Sequence, residues 1–287
     1  LDGLSIQRIE IDMIEFSGTA FEKVDNRLMS LRLVQKGLSN ATMFGPDGTV
    51  LQPSNVLRKR PLLIERGSFI PFCKSHQAVL NAADEQFCDE SSVDEDRVFR
   101  MAEITMKKLA TDDDGEVDYQ DFLARADMLC ACGLNVMISN YFEYYRLAQY
   151  LRIHTQEKIG MTMGLRGLEA IFDESYYEHL DGGILESFGR LFKQDVTLYV
   201  YPSYKREEKK VVTLDDWKPK SELKHLFKHL KKRDNIEELE DYDEDLLKIF
   251  SNDVLELIKN GDDEWEEKVP EPVAEVIKEN GYFGYKG

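Results

Sequence analysis

Apolar residues along this chain follow two spacings. They recur every three to four positions at Phe21, Val24, Leu28, Leu31, Leu33 and Val34, and again through Ser75 to Phe87, Tyr119 to Cys130, Glu143 to Leu151, Leu165 to Phe172 and Gly183 to Phe192. That spacing predicts helices, each with one apolar stripe. They run together at Ala41–Phe44, Pro61–Ile64, Asn135–Ile138, Lys158–Met163 and Val196–Val200, which predicts short buried strands. Ile9, Ile11 and Met13 alternate with polar residues, so Ile6 to Phe16 also reads as a strand. Gly45-Pro46-Asp47-Gly48 is a turn, after which Thr49-Val50-Leu51 restarts extended chain. Arg97 to Leu109 fits either element: Val98, Met101, Ile104 and Leu109 suit a helix, while Val98 to Ala102 suits a strand.

Strands alternating with helices predict an α/β fold, a mostly parallel sheet with helices on both faces. Such sheets bind ligands at the carboxyl ends of their strands. The character changes after Pro202. Lys205 to Val212 reads as a charged connection, and from Ser221 onward the chain reads as helical and acidic, densest in Asp and Glu over Asp234 to Asp245. The expected organisation is therefore an α/β nucleotide-binding-like domain over 1–204 and a helical acidic C-terminal region over 205–287. Trp265, Val269, Val273, Val276 and Ile277 suggest a packed end, and Tyr282-Phe283-Gly284-Tyr285 an aromatic tail that docks on this chain or on a partner.

Composition narrows the function classes. With 287 residues and 42% hydrophobic content the chain can bury a real core. A net charge of -18 repels phosphate backbones and argues against nucleic acid as the main partner. The basic runs Arg58-Lys59-Arg60, Lys205 to Lys210 and Lys224 to Arg233 are short and read as solvated surface. The acidic C-terminal region is the candidate surface for protein partners. No apolar run reaches the ~18 residues of a membrane span. Leu1 to Phe16 lacks the basic start and apolar block of a signal peptide. Four unpatterned cysteines (Cys73, Cys88, Cys130 and Cys132) fit a reducing compartment. The cytoplasm is the first expectation, with an organelle after leader removal as the alternative, since the chain opens on Leu1.

The stretch that suggests specific chemistry is Gly67 to His76, G-S-F-I-P-F-C-K-S-H, directly after the strand Pro61–Ile64. Glycine after a strand lets an anion approach the backbone. A helix starting near Ser75 would point free N–H groups at the same place. The turn at Gly67-Ser68 forms the cradle in this reading. His76 stabilises charge during phosphoryl or nucleotidyl transfer, and Lys74 adds a positive charge.

These residues resemble the motif G-x-F-x-P-x-(H/T)-x-G-H of the nicotinamide or nicotinate mononucleotide adenylyltransferases, within the nucleotidyltransferase superfamily. Gly67, Phe69, Pro71 and His76 stand at matching offsets, with Cys73 where His or Thr is expected and Ser75 where Gly is expected. Ile138-Ser139-Asn140, with Arg146 further on, is similar to the family's I-S-x-T-x-x-R signature, at a different spacing and without the Thr. The segments Leu38 to Gly48, Asn140 to Gly164 and His179 to Pro202 look like bacterial proteins carrying that adenylyltransferase label, so the likeness covers most of the chain. The resemblance implies a nucleotide-binding protein that transfers AMP from ATP to a mononucleotide with Mg2+. His76 and Lys74 would be catalytic; Gly67, Ser68, Phe69, Cys73, Ser139, Asn140 and Arg146 would bind nucleotide. The alternative is a non-catalytic subunit of a larger complex that kept the fold.

A third reading rests on Ala110 to Asp121, which resembles an EF-hand loop. Asp112, Asp114, Gly115 and Asp118 fall at positions three, five, six and nine, with Ala110 at position one and Asp121 at twelve. That would make a calcium-responsive module. The plainer reading is a polar loop that caps the helix from Tyr119. Plainer readings are also preferred for Cys130-Ala131-Cys132 (helix packing), Asp181 (an N-cap), His225 and His229 (a solvated face) and Tyr141, Tyr144 and Tyr145 (packing rather than base stacking).

Overall fold

The computed structural model describes residues 11–111 and 116–286. Its strands in chain order are β1 (Ala41–Phe44), β2 (Val50–Leu51), β3 (Leu62–Arg66), β4 (Phe99–Thr105), β5 (Asn135–Ser139), β6 (Ile159–Gly164), β7 (Val196–Tyr201), β8 (Ser203–Lys205), β9 (Lys210–Val212) and β10 (Ile236–Glu238). Eight of them form one sheet in the order β10-β7-β6-β3-β4-β5-β1-β2. From β10 to β5 every pairing is parallel, while β1 runs antiparallel to both β5 and β2. The α/β expectation is met.

Helices cover both faces, because the central strands are apolar on both sides. Leu62, Ile64, Met101, Met137, Met161 and Leu198 face one layer, shared with Leu147, Leu151, Leu168 and Phe188 of the helices Tyr144–His154, Leu165–Ile171 and Gly183–Leu191. Leu63, Ala102, Ile104, Val136, Ile138 and Tyr199 face the other, shared with the helices Lys74–Cys88 and Tyr119–Ala131 and with the C-terminal residues Trp265, Val273 and Ile277. Gly160 in β6 permits close packing on this second face. A Cβ there would come within 2.8 Å of the Tyr199 ring and 2.9 Å of Phe87, so a side chain would push the helix Lys74–Cys88 off the sheet.

Several local expectations are corrected. Arg97 to Leu109 is strand β4 followed by the one-turn helix Met106–Leu109, because β3 and β5 pair with it on either side. Residues 11–16 form no strand, and the rest of the Ile6–Phe16 prediction lies outside the described residues. The helix placed over Phe21 to Gln35 begins only at Asn26, capped by Asp25. Lys205 to Val212 carries the turn of the β8–β9 hairpin rather than a plain connection. Asp234 to Asp245 is not helical: it holds β10, paired in parallel with β7. The stretch after residue 204 thus supplies an edge strand to the sheet. It also supplies the helix Glu271–Asn280, whose Val273 and Ile277 join the core beside the helix Tyr119–Ala131. The aromatic tail docks on this chain: Tyr282 Oη donates to Asp127 Oδ2 at 2.5 Å, and Tyr285 meets the Trp265 ring edge-on. No helix among the described residues is long and apolar enough to cross a membrane.

Candidate functional site

The chain leaves β3 toward β4 on one side of it, and later enters β6 on the other side before moving on to β7. The carboxyl ends of β3 and β6 therefore flank a topological switch point, where open α/β sheets bind ligands. The glycine turn lies there. The N–H of Gly67 donates to Glu103 O at 3.1 Å, tying the turn to β4. Phe69 holds a left-handed φ of +53°, costly for a bulky residue. Its buried ring lies against Gly67 so closely that a Cβ at that position would sit 2.5 Å from two ring carbons. The glycine thus makes room for the protein's own ring. The N–H groups of Ser68 and Phe69 enter no hydrogen bond among the described residues.

The helix after the turn starts at Lys74, one residue earlier than the sequence suggests, and makes His76 its third residue. The Cys73 N–H donates to His76 Nδ1 at 3.0 Å. In the neutral imidazole the proton then resides on Nε2, which becomes a donor. The ring stacks on Phe72 (centroids 5.5 Å apart) and meets Phe69 edge-on (5.4 Å). Burial first, and the nearby Lys108 charge second, push its pKa down to about 4, so His76 is an uncharged donor at neutral pH. Lys74 is half-buried at the helix start and makes no ion pair among the described residues.

Other predicted residues do not gather there. The Cys73 thiol is buried and turned to Pro71 O and Ser251 Oγ (3.8 Å); burial pushes it up to about 12, so it stays protonated. Asn140 faces the helix Asn26–Gln35, its Nδ2 donating to Val34 O. Exposed Arg146 pairs with Glu143 and donates to Tyr145 Oη. Ser139 reaches the site indirectly: its Oγ donates to Glu103 Oε1 at 2.5 Å. In the acidic loop, Asp112 and Asp114 lie outside the described residues. Asp118 caps the helix Tyr119–Ala131, and Asp121 pairs with Arg125, as the plainer reading expects. Among the described residues no three His, Cys, Asp or Glu side chains group to hold a metal.

The structure also brings forward residues that motif reading missed. Arg66, the last residue of β3, pairs with Glu103 on β4 at 2.5 Å, donates to Tyr141 O and Phe142 O at 2.8 Å each, and stacks on Tyr144. Every arm of that guanidinium is used, and it fastens the loop after β5 to the strand ends. Arg125, also buried, donates to Ser68 O and Lys108 O and so braces the turn from below. On the opposite face of β3, Glu65 is buried, and Thr162 is its Cα partner on β6. Neither Glu65 Oε2 nor Thr162 Oγ1 has a hydrogen-bond partner. Lys108 lies near enough to influence Glu65 and His76 electrostatically. The signal for this group was present in the sequence: Glu65, Arg66 and Glu103 are charges inside or ending apolar strand runs, where charge is rare unless used. Beside the site, a water-sized hollow of about 10 Å³ separates Ser75 and Ala78 from Tyr201, Asp241 and Asp243. A larger cleft of about 370 Å³ lies away from it, at the β1–β2 edge between Asp25, Arg27 and Asp47.

No protein-family model matches this sequence, and no curated protein matches it. Among solved structures, the chain is similar to the Plasmodium falciparum nicotinic acid mononucleotide adenylyltransferase complexed with NaAD (10% identity, 79% of this chain and 98% of that one, TM-score 0.46). It is also similar to a putative nicotinate-nucleotide adenylyltransferase from Vibrio parahaemolyticus (15%, 78% and 95%, TM-score 0.35). A third likeness is to Thermotoga maritima TmcAL bound with alpha-thio ATP (12%, 78% of this chain and 56% of that one, TM-score 0.37). With TM-scores below 0.5, these likenesses carry no weight for function.

Proposed function

We propose that this chain binds the phosphates of a nucleotide at the carboxyl ends of β3 and β6, and that it transfers AMP from ATP to a mononucleotide. One observation carries the reading. At the switch point, a turn with two uncommitted N–H groups stands beside an uncharged imidazole donor and Lys108, above buried polar atoms that lack partners. Uncommitted amides and a helix start suit phosphate oxygens. In the reaction, a phosphate oxygen of the mononucleotide attacks the α-phosphorus of ATP and pyrophosphate leaves. Positioning and charge stabilisation carry such chemistry, so no protein nucleophile is needed. His76 Nε2–H donates to a phosphate oxygen, while Lys74 and Lys108 offset the growing negative charge. Magnesium bound with the ATP would neutralise phosphate charge there. Glu65, near the end of β3, has an Oε2 without a hydrogen-bond partner among the described residues and would be the side chain to hold that ion.

A second reading keeps the binding and drops the transfer. Cys73 stands where the resembled motif carries His or Thr, and its thiol is taken up by Pro71 O and Ser251. One phosphate contact is then missing, which suits a non-catalytic subunit.

Calorimetric titration with ATP and magnesium, followed by chromatography of the products formed with nicotinate or nicotinamide mononucleotide, tests both. The expected result is ATP binding and dinucleotide formation by the wild type, with a loss of about 10²–10³ in rate for His76→Ala. Binding without product supports the second reading. Equal product from both chains removes His76 from the chemistry, and no binding of any nucleotide overturns the proposal.

A further inference from the structure

Two buried carboxylates lie on adjacent strands near the switch point, and the fold treats them differently. Glu103 is fully buried, but its oxygens are met by Arg66 and Ser139. Glu65 is 3% exposed, and its Oε2 has no hydrogen-bond partner among the described residues. Its neighbour across the pairing, Thr162, is fully buried on the same face, with its hydroxyl equally unpartnered. Leaving such groups unsatisfied costs about 1–3 kcal/mol each, and two side by side call for a cause.

The surroundings say what could satisfy them. Lys108 and the His76 donor suit the phosphates of the proposed nucleotide. A carboxylate in that position would repel those phosphates unless a divalent cation stood between them. Magnesium is commonly held by one or two carboxylates together with substrate phosphates and several waters. A single protein carboxylate is therefore enough, and no cluster of three ligating side chains is required.

We propose that Glu65 is the protein ligand for the divalent cation that accompanies the bound nucleotide, with Thr162 orienting the carboxylate or a water on the metal. This rests on the nucleotide-binding reading above.

The test titrates ATP into the full chain with magnesium and with EDTA, for wild type, Glu65→Gln and Glu65→Asp. Wild type is expected to gain at least about tenfold in ATP affinity from magnesium, and Glu65→Gln to keep no more than about twofold of that gain. Glu65→Asp, which retains the charge on a shorter arm, should fall between them. An unchanged magnesium gain in Glu65→Gln overturns the assignment and leaves the pair to a structural water. Failure of the wild type to bind ATP in either condition defeats the nucleotide reading, and this inference with it.

Discussion

His76 shows how one side chain can be placed by pattern yet given its character by contacts. Its distance from Gly67 is legible in the sequence, and so is its place near a helix start. Its charge state is not, because that follows from Phe69 and Phe72 closing around the ring, from the nearby Lys108 charge and from the Cys73 N–H occupying Nδ1. A folded-state pKa of about 4, below the ordinary 6.5, means that the unfolded chain binds the proton more readily. The stability tied to the neutral ring is present above pH 6.5 and is lost as the pH falls through about 4. Urea unfolding across that window should show an acid-side loss that is smaller in His76→Gln, by up to roughly 3 kcal/mol. Superimposable pH profiles for the two chains would mean that the ring is not held neutral by the fold.

Among the elements, the turn between β3 and the helix Lys74–Cys88 is where expectation and structure differ most usefully. A glycine after a strand suggests space for a ligand, yet the space above Gly67 holds Phe69. The core on that face claims the ring, which also leans on Phe72 and His76. Gly67→Ala should therefore overpack the turn and cost about 1–3 kcal/mol, read as a lower thermal midpoint, and it should weaken ATP binding by shifting the Ser68 and Phe69 amides. An alanine variant as stable as the wild type would show that the ring has somewhere else to go. The same locality explains Cys73. Its departure from the motif looks like a defect in the sequence, but its thiol packs against Ser251, 178 positions away in the chain, a contact that no motif can display.

For the whole molecule, the telling region is 205–287. Its composition differs from the preceding chain, which suggests a division after residue 204. Its contacts cross that line: β10 extends the sheet beside β7, Leu239 N donates to Val200 O at 3.0 Å, and Trp265, Val269, Val273 and Ile277 share a core with Leu63 and Val136. Scanning calorimetry of the full chain should accordingly give one cooperative transition, and a chain ending at 204 should lose it because those apolar surfaces become exposed. Two separate transitions, or a folded 1–204 fragment, would restore the division.

Apolar runs and their spacing were sufficient for the α/β class, for the placement of β3, β5, β6 and β7, and for the helices between them, since burial on two faces and on one stripe leaves a direct imprint on residue order. The glycine turn and His76 were legible for the same local reason. Which buried charges are paired and which stand open was not. Arg66 finds Glu103 and Glu65 faces Thr162 only because β4 and β6 flank β3, and strand order is set by packing across the whole sheet rather than by any segment of it.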